Sequence, residues 1–98
     1  MSVRGAPVLI VESETGVFIT SLQQAMAAVG AEGVVARNAS EAEQHCDQLQ
    51  FAAALLNVEH RAIEDDLSAR GLPVLLYSRA STPHAIIASL QRLLETGG

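Results

Sequence analysis

The side chains able to do chemistry gather where apolar runs give way to polar residues: Glu12-Ser13-Glu14, Asn57 and Ser78. Adjacent acids are hard oxygen donors of the kind that hold a divalent cation such as Mg²⁺. Glu12 and Glu14 keep a weak capacity of that sort, although solvated acids at a strand end are the expected case. Asn57 carries a neutral amide suited to tying down a loop, and Ser78 suits a local hydrogen bond. His45, Cys46 and His60 are zinc-ligand types. The adjacent His45-Cys46 pair would point apart on a helix, however, and there is no second cysteine, so no metal site is expected. His84 falls in the first turn of a helix, where a surface position is the default. Glu64-Asp65-Asp66 is a solvated helix face or an acidic contact patch for a basic partner. The chain has no phosphate-cradling glycine loop, nucleophile elbow or paired histidines, so no enzyme is expected.

Composition narrows the classes further. At 98 residues the chain has room for one core and is expected to form a single domain, residues 1–98. It is 49% hydrophobic with 17% charged residues, the reverse of a disordered composition. The net charge is −5 and all six cations are scattered arginines. Nucleic-acid binding needs clustered cations and is not expected. The single Cys46 excludes an internal disulfide and suits a reducing cytoplasm. Neither a signal-peptide stretch at Met1–Gly5 nor a run long enough to span a bilayer is evident, so a cytoplasmic protein without membrane contact is expected.

The elements that must position these residues alternate. Pro7–Val11, Gly33–Ala36, Phe51–Leu56 and Leu72–Tyr77 are short apolar runs that suit strands buried on both faces. Phe18, Leu22, Met26 and Val29 lie at helical spacing, with Gly30 as a stop. Ser40 and Glu43 form a capping-box pattern for a second helix that buries Ala42, Cys46 and Leu49. Ala62–Ala69 is a short acidic helix ending at Arg70-Gly71. Thr82-Pro83 caps a last helix carrying Ile86 or Ile87, Leu90, Leu93 and Leu94 on its apolar face. This β-α alternation predicts an α/β fold with a parallel sheet between helices, and sites at the carboxyl ends of its strands.

In that order the strand-end motifs resemble the CheY-like receiver domain of response regulators. Val8-Leu-Ile-Val-Glu-Ser-Glu14 is similar to the family's first strand with its Mg²⁺-holding acid pair, at Glu12 and Ser13 here. Phe51-Ala-Ala-Ala-Leu-Leu-Asn-Val58 is similar to the third strand, whose phosphoacceptor aspartate corresponds to Asn57. Gly71-Leu-Pro-Val-Leu-Leu-Tyr-Ser78 is similar to the fourth, with Ser78 at the switch Ser/Thr position. The match runs from about Pro7 to Ser78, and the last helix resembles the family's final one. The resemblance implies a flavodoxin-like, three-layer parallel sheet, cut to about four strands in the order 2-1-3-4 with about four helices.

The departures carry the functional expectation. Asn57 is a poor nucleophile, Ser13 removes an acid, and the sequence has no lysine to match the family's invariant one. Only Arg79-Ala80-Ser81 separate Ser78 from the Thr82 cap, so the family's fourth helix and fifth strand have no room. A truncated, degenerate pseudo-receiver follows, without a cofactor and with Mg²⁺ binding not expected. It would act in a two-component system without phosphorylation, by binding a histidine kinase, another regulator or itself, with Asn57 either a loop tie or a mimic that freezes one state. The alternatives are a phosphorelay regulator modified at a non-standard residue (Glu12, Glu59 or a serine) and a structural dimerisation domain. Loss of the fifth strand bares the fourth, so a homodimer is expected through Leu72, Val74, Leu76, Tyr77, Ile87, Leu90 and Leu94.

Overall fold

In the computed structural model, which describes residues 7–14 and 16–97, the four apolar runs become four parallel strands. They are β1 (Val8–Val11), β2 (Gly33–Ala36), β3 (Ala53–Asn57) and β4 (Val74–Tyr77). Helices α1 (Val17–Ala28), α2 (Ala39–Gln48), α3 (Glu64–Ala69) and α4 (Pro83–Gly97) follow them in turn. The sheet order is β2-β1-β3-β4, as expected for a flavodoxin-like sheet shortened to four strands.

Burial explains the strand types. Every residue of the central strands β1 and β3 is buried, because both of their faces are covered. Alternation along the strands divides the core. Val8, Ile10, Ala53, Leu55 and Tyr77 pack with Leu22 and Met26 of α1 and with Ile86, Ile87 and Leu90 of α4. Leu9, Val11, Ala54 and Leu56 pack with Ala42 of α2 and Leu67 of α3. The result is three layers, with α1 and α4 on one face and α2 and α3 on the other.

Two glycines end helices as backbone geometry requires. Gly30 (φ 81°) donates to the Ala27 carbonyl at 3.0 Å and Ala31 donates to Met26 at 3.1 Å, closing α1. Gly71 (φ 86°) closes α3 in the same way, through bonds to Ser68 and from Leu72 to Leu67. A left-handed residue at this position is most readily glycine. At the start of α4 the Thr82 hydroxyl accepts from the Ala85 amide at 3.2 Å, ahead of Pro83.

Several local expectations are corrected. The cap of α2 is Asn38, whose Oδ1 accepts from the Glu41 amide at 2.9 Å, while the Glu41 carboxylate accepts from the Arg37 amide at 3.0 Å. This earlier polar pair starts the helix before Ser40 and Glu43 can. Leu49 is 44% exposed, since α2 ends at Gln48 and the backbone turns extended. Pairing of β3 begins at Ala53, opposite Val8, so Phe51 and Ala52 lie outside the strand. Leu72 and Pro73 likewise precede β4. The segment after Asn57 is a 3-10 helix (Val58–Ile63), kinked at His60, and α3 proper starts only at Glu64.

Candidate functional site

The register aligns a row of polar side chains across the carboxyl ends of three strands. Asn57 stands opposite Tyr77, and Glu12 follows the Val11–Leu56 pair. Alternation directs Glu12, Asn57 and Tyr77 to the face covered by α1 and α4. Ser13 and Ser78, one residue out of step, are exposed.

Glu12 is the hub, 0% exposed at the end of β1. Its Oε1 accepts from Asn57 Nδ2 at 2.8 Å and from the Tyr77 hydroxyl at 2.7 Å. Its Oε2 accepts from Arg79 Nη2 at 2.6 Å, Arg79 Nε at 3.1 Å and the Glu14 amide at 3.1 Å. Burying a carboxylate is costly unless it is paired and hydrogen-bonded, and here both oxygens are. Burial opposes ionisation, yet the bonds from Arg79, Asn57, Tyr77 and the Glu14 amide outweigh it and hold the Glu12 carboxyl at about 2. Burial, together with the bond to Glu12, pushes the Tyr77 phenol well above its usual range. The Tyr77 ring stacks on Phe18 of α1, centroids 5.9 Å apart.

Arg79 extends the network outward. Besides Glu12 it pairs with Glu14 at 3.2 Å and Glu59 at 3.2 Å. The pairing with Glu12 above all, with Glu59 and Glu14 adding to it, holds the guanidinium still more firmly in its charged form. Asn57 uses its other end as well, its Oδ1 accepting from the Glu59 amide at 2.9 Å to cap the 3-10 helix. The loops after β1, β3 and β4 are thereby tied to one point.

This arrangement sets what the site can do. A buried carboxylate whose oxygens accept five hydrogen bonds is a poor nucleophile, and the Asn57 amide, held at both ends, is no better. A hard cation at Glu12 would have to displace a guanidinium 2.6 Å from the same oxygen, so the donor set as arranged does not fit Mg²⁺.

The other sequence candidates are dispersed. Ser78 Oγ accepts from the Ala80 amide at 3.1 Å, a turn contact with no bond to Glu12. His45 Nε2 lies 3.3 Å from the Val35 carbonyl. Cys46 is half-buried, and burial pushes its thiol up, with Arg70 opposing and Asp47 and Glu43 adding to the rise. His60 Nε2 is buried without a hydrogen-bond partner among the described residues. No group of three or more His, Cys, Asp or Glu among the described residues could hold a metal ion.

The expected interface needs correction. Tyr77, Ile87 and Leu90 are at most 4% exposed, because they form the core between β4 and α4. Leu72, Val74, Leu76 and Leu94 are half-buried and remain accessible. The residue missed from sequence is Arg79. Strand alternation held the signal, since positions 77 and 79 share the face of Glu12 and position 78 does not.

No protein-family model matches the chain, and no curated protein matches it significantly. Among the described residues, no helix is long and apolar enough to cross a membrane.

Proposed function

We propose that the chain is a cytoplasmic receiver-like signalling module that works without aspartyl phosphorylation, by binding a histidine kinase, another regulator or itself. One observation carries the proposal: the residue ending β3 is Asn57, and its amide donates to a Glu12 carboxylate already claimed by Tyr77 and Arg79. Where a receiver would place a nucleophile, a metal-holding acid and a mobile cation, this chain has a saturated hydrogen-bond network. The motif order, the sheet order β2-β1-β3-β4 and the absence of any lysine support the same reading. Modification at Glu12 or Glu59 finds less support, since the first is buried and the second pairs with Arg79.

The test is incubation with acetyl phosphate and Mg²⁺, followed by intact mass and by partner binding with and without the donor. Unchanged mass and unchanged affinity for a histidine kinase dimerisation domain are expected. A labile phosphoryl adduct, or affinity for no histidine kinase domain, no regulator and no second copy of the chain, would overturn the proposal.

A further inference from the structure

The sheet has two edges, and they are finished differently. Val8 donates to the Glu32 carbonyl, so in the parallel ladder the peptide groups of Gly33 and Val35 point away from β1, off the β2 edge. Side chains from both helical layers cover their carbonyls: Gln23 Nε2 donates to Gly33 at 3.4 Å, and His45 Nε2 donates to Val35 at 3.3 Å. At the other edge, Ala54 donates to the Pro73 carbonyl, which turns the peptide groups of Val74 and Leu76 outward from β4. No side chain among the described residues bonds to them. The β4 edge also lacks the charges, internal proline or bulge that ordinarily blunt an edge strand. Pro73 does not block it, because its missing N–H would have faced β3.

We infer that the β4 edge pairs with the same edge of a second copy, antiparallel about a two-fold axis at Leu75. The outward groups are self-complementary in that register. Val74 of each copy exchanges both hydrogen bonds with Leu76 of the other, and the two Leu75 residues face each other in the non-hydrogen-bonded position between them. The four strands of each copy then form one continuous sheet. Side chains agree with the two-fold: Leu75 meets Leu75 on the α4 face, and Val74 meets Leu76 on the α3 face. Charge agrees as well. Helix α3 begins with Glu64-Asp65-Asp66 and is followed by Arg70, which pairs with the exposed Asp47 of its own copy at 3.2 Å and stays partly exposed. Two antiparallel copies therefore set the acidic start of one beside the Arg70 end of the other. The inference rests on the sheet edge alone and stands whether or not the chain is receiver-like.

Register-specific cross-linking tests it in the full chain carrying Cys46→Ser. Leu75→Cys places two thiols in facing positions within disulfide reach and is expected to give a covalent dimer on mild oxidation. Val74→Cys alone faces Leu76 and is expected to stay largely uncross-linked. Val74→Pro removes an outward N–H without touching the ladder to β3, and sedimentation should show dimer affinity falling at least about tenfold. Circular dichroism of each variant separates loss of pairing from loss of fold. A folded Leu75→Cys chain that resists cross-linking, a wild-type chain monomeric up to sub-millimolar concentration, or a dimer indifferent to Val74→Pro would each overturn the inference.

Discussion

The carboxyl end of the sheet and the outer edge of β4 treat their polar atoms in opposite ways. At the first, Glu12 is buried and both of its oxygens are satisfied by Asn57, Tyr77, Arg79 and the Glu14 amide. At the second, the outward peptide groups of Val74 and Leu76 have no partner among the described residues. A buried carboxylate engaged at both oxygens stabilises the fold but leaves Glu12 little capacity for chemistry. An unsatisfied edge contributes less to the monomer and retains its capacity to bind. The contrast gives a structural duty to the pocket where an α/β protein ordinarily works and leaves polar groups open to a partner at the β4 edge.

The sharpest way to break that contrast is Asn57→Asp, which exchanges a donor for a second carboxylate against buried Glu12. A loss of about 3–5 kcal/mol is expected at neutral pH, because a buried charge is left uncompensated. Urea denaturation should show the gap to wild type narrowing toward pH 4, as one carboxyl of the pair takes up a proton.

Acid titration of the wild type is the next largest effect. Glu12 is held at about 2 in the folded chain, below its unfolded value. Its contribution is therefore complete above about pH 5 and is lost as pH falls toward 2, amounting to about 3 kcal/mol. Glu12→Gln should be less stable at neutral pH and should flatten the profile across this window. An equally steep profile in the variant would assign the acid sensitivity elsewhere.

Tyr77→Phe keeps the stack on Phe18 but removes the hydroxyl bond to a charged oxygen. A loss of about 1.5–3 kcal/mol is expected by chemical denaturation, with the fold unchanged by circular dichroism. The smallest effect comes from uncapping the opposite edge. Gln23→Ala with His45→Ala should cost about 1 kcal/mol or less per site, because both bonds are long. Its larger consequence should be association, with light scattering detecting species beyond a dimer once β2 is as bare as β4.

Much of the fold was legible because it rests on short-range patterning. Four apolar runs, the Gly30 stop and the Thr82-Pro83 cap each state a local preference that packing did not override. The sheet order followed from the receiver resemblance of the strand-end motifs. Local rules failed where two signals overlapped, as when Asn38-Glu41 took precedence over Ser40-Glu43. They failed again at Leu49, where α2 ends one residue early, and at Tyr77, where packing against α1 and α4 decided burial. The site was half legible. Glu12 and Asn57 stood out as polar residues closing apolar runs. Arg79 did not, because alternation past the end of β4 gives its face but not its partner, and only the strand register brings it to Glu12.

The ties at the carboxyl end also affect two backbone amides that would otherwise lie open in loops. The N–H of Glu14 is held by Glu12, and that of Glu59 by Asn57. Their exchange with solvent deuterium is therefore slow only while the whole network is closed. Two resonances in an NMR spectrum become local gauges of whether a bound partner tightens this end of the sheet or pries it apart.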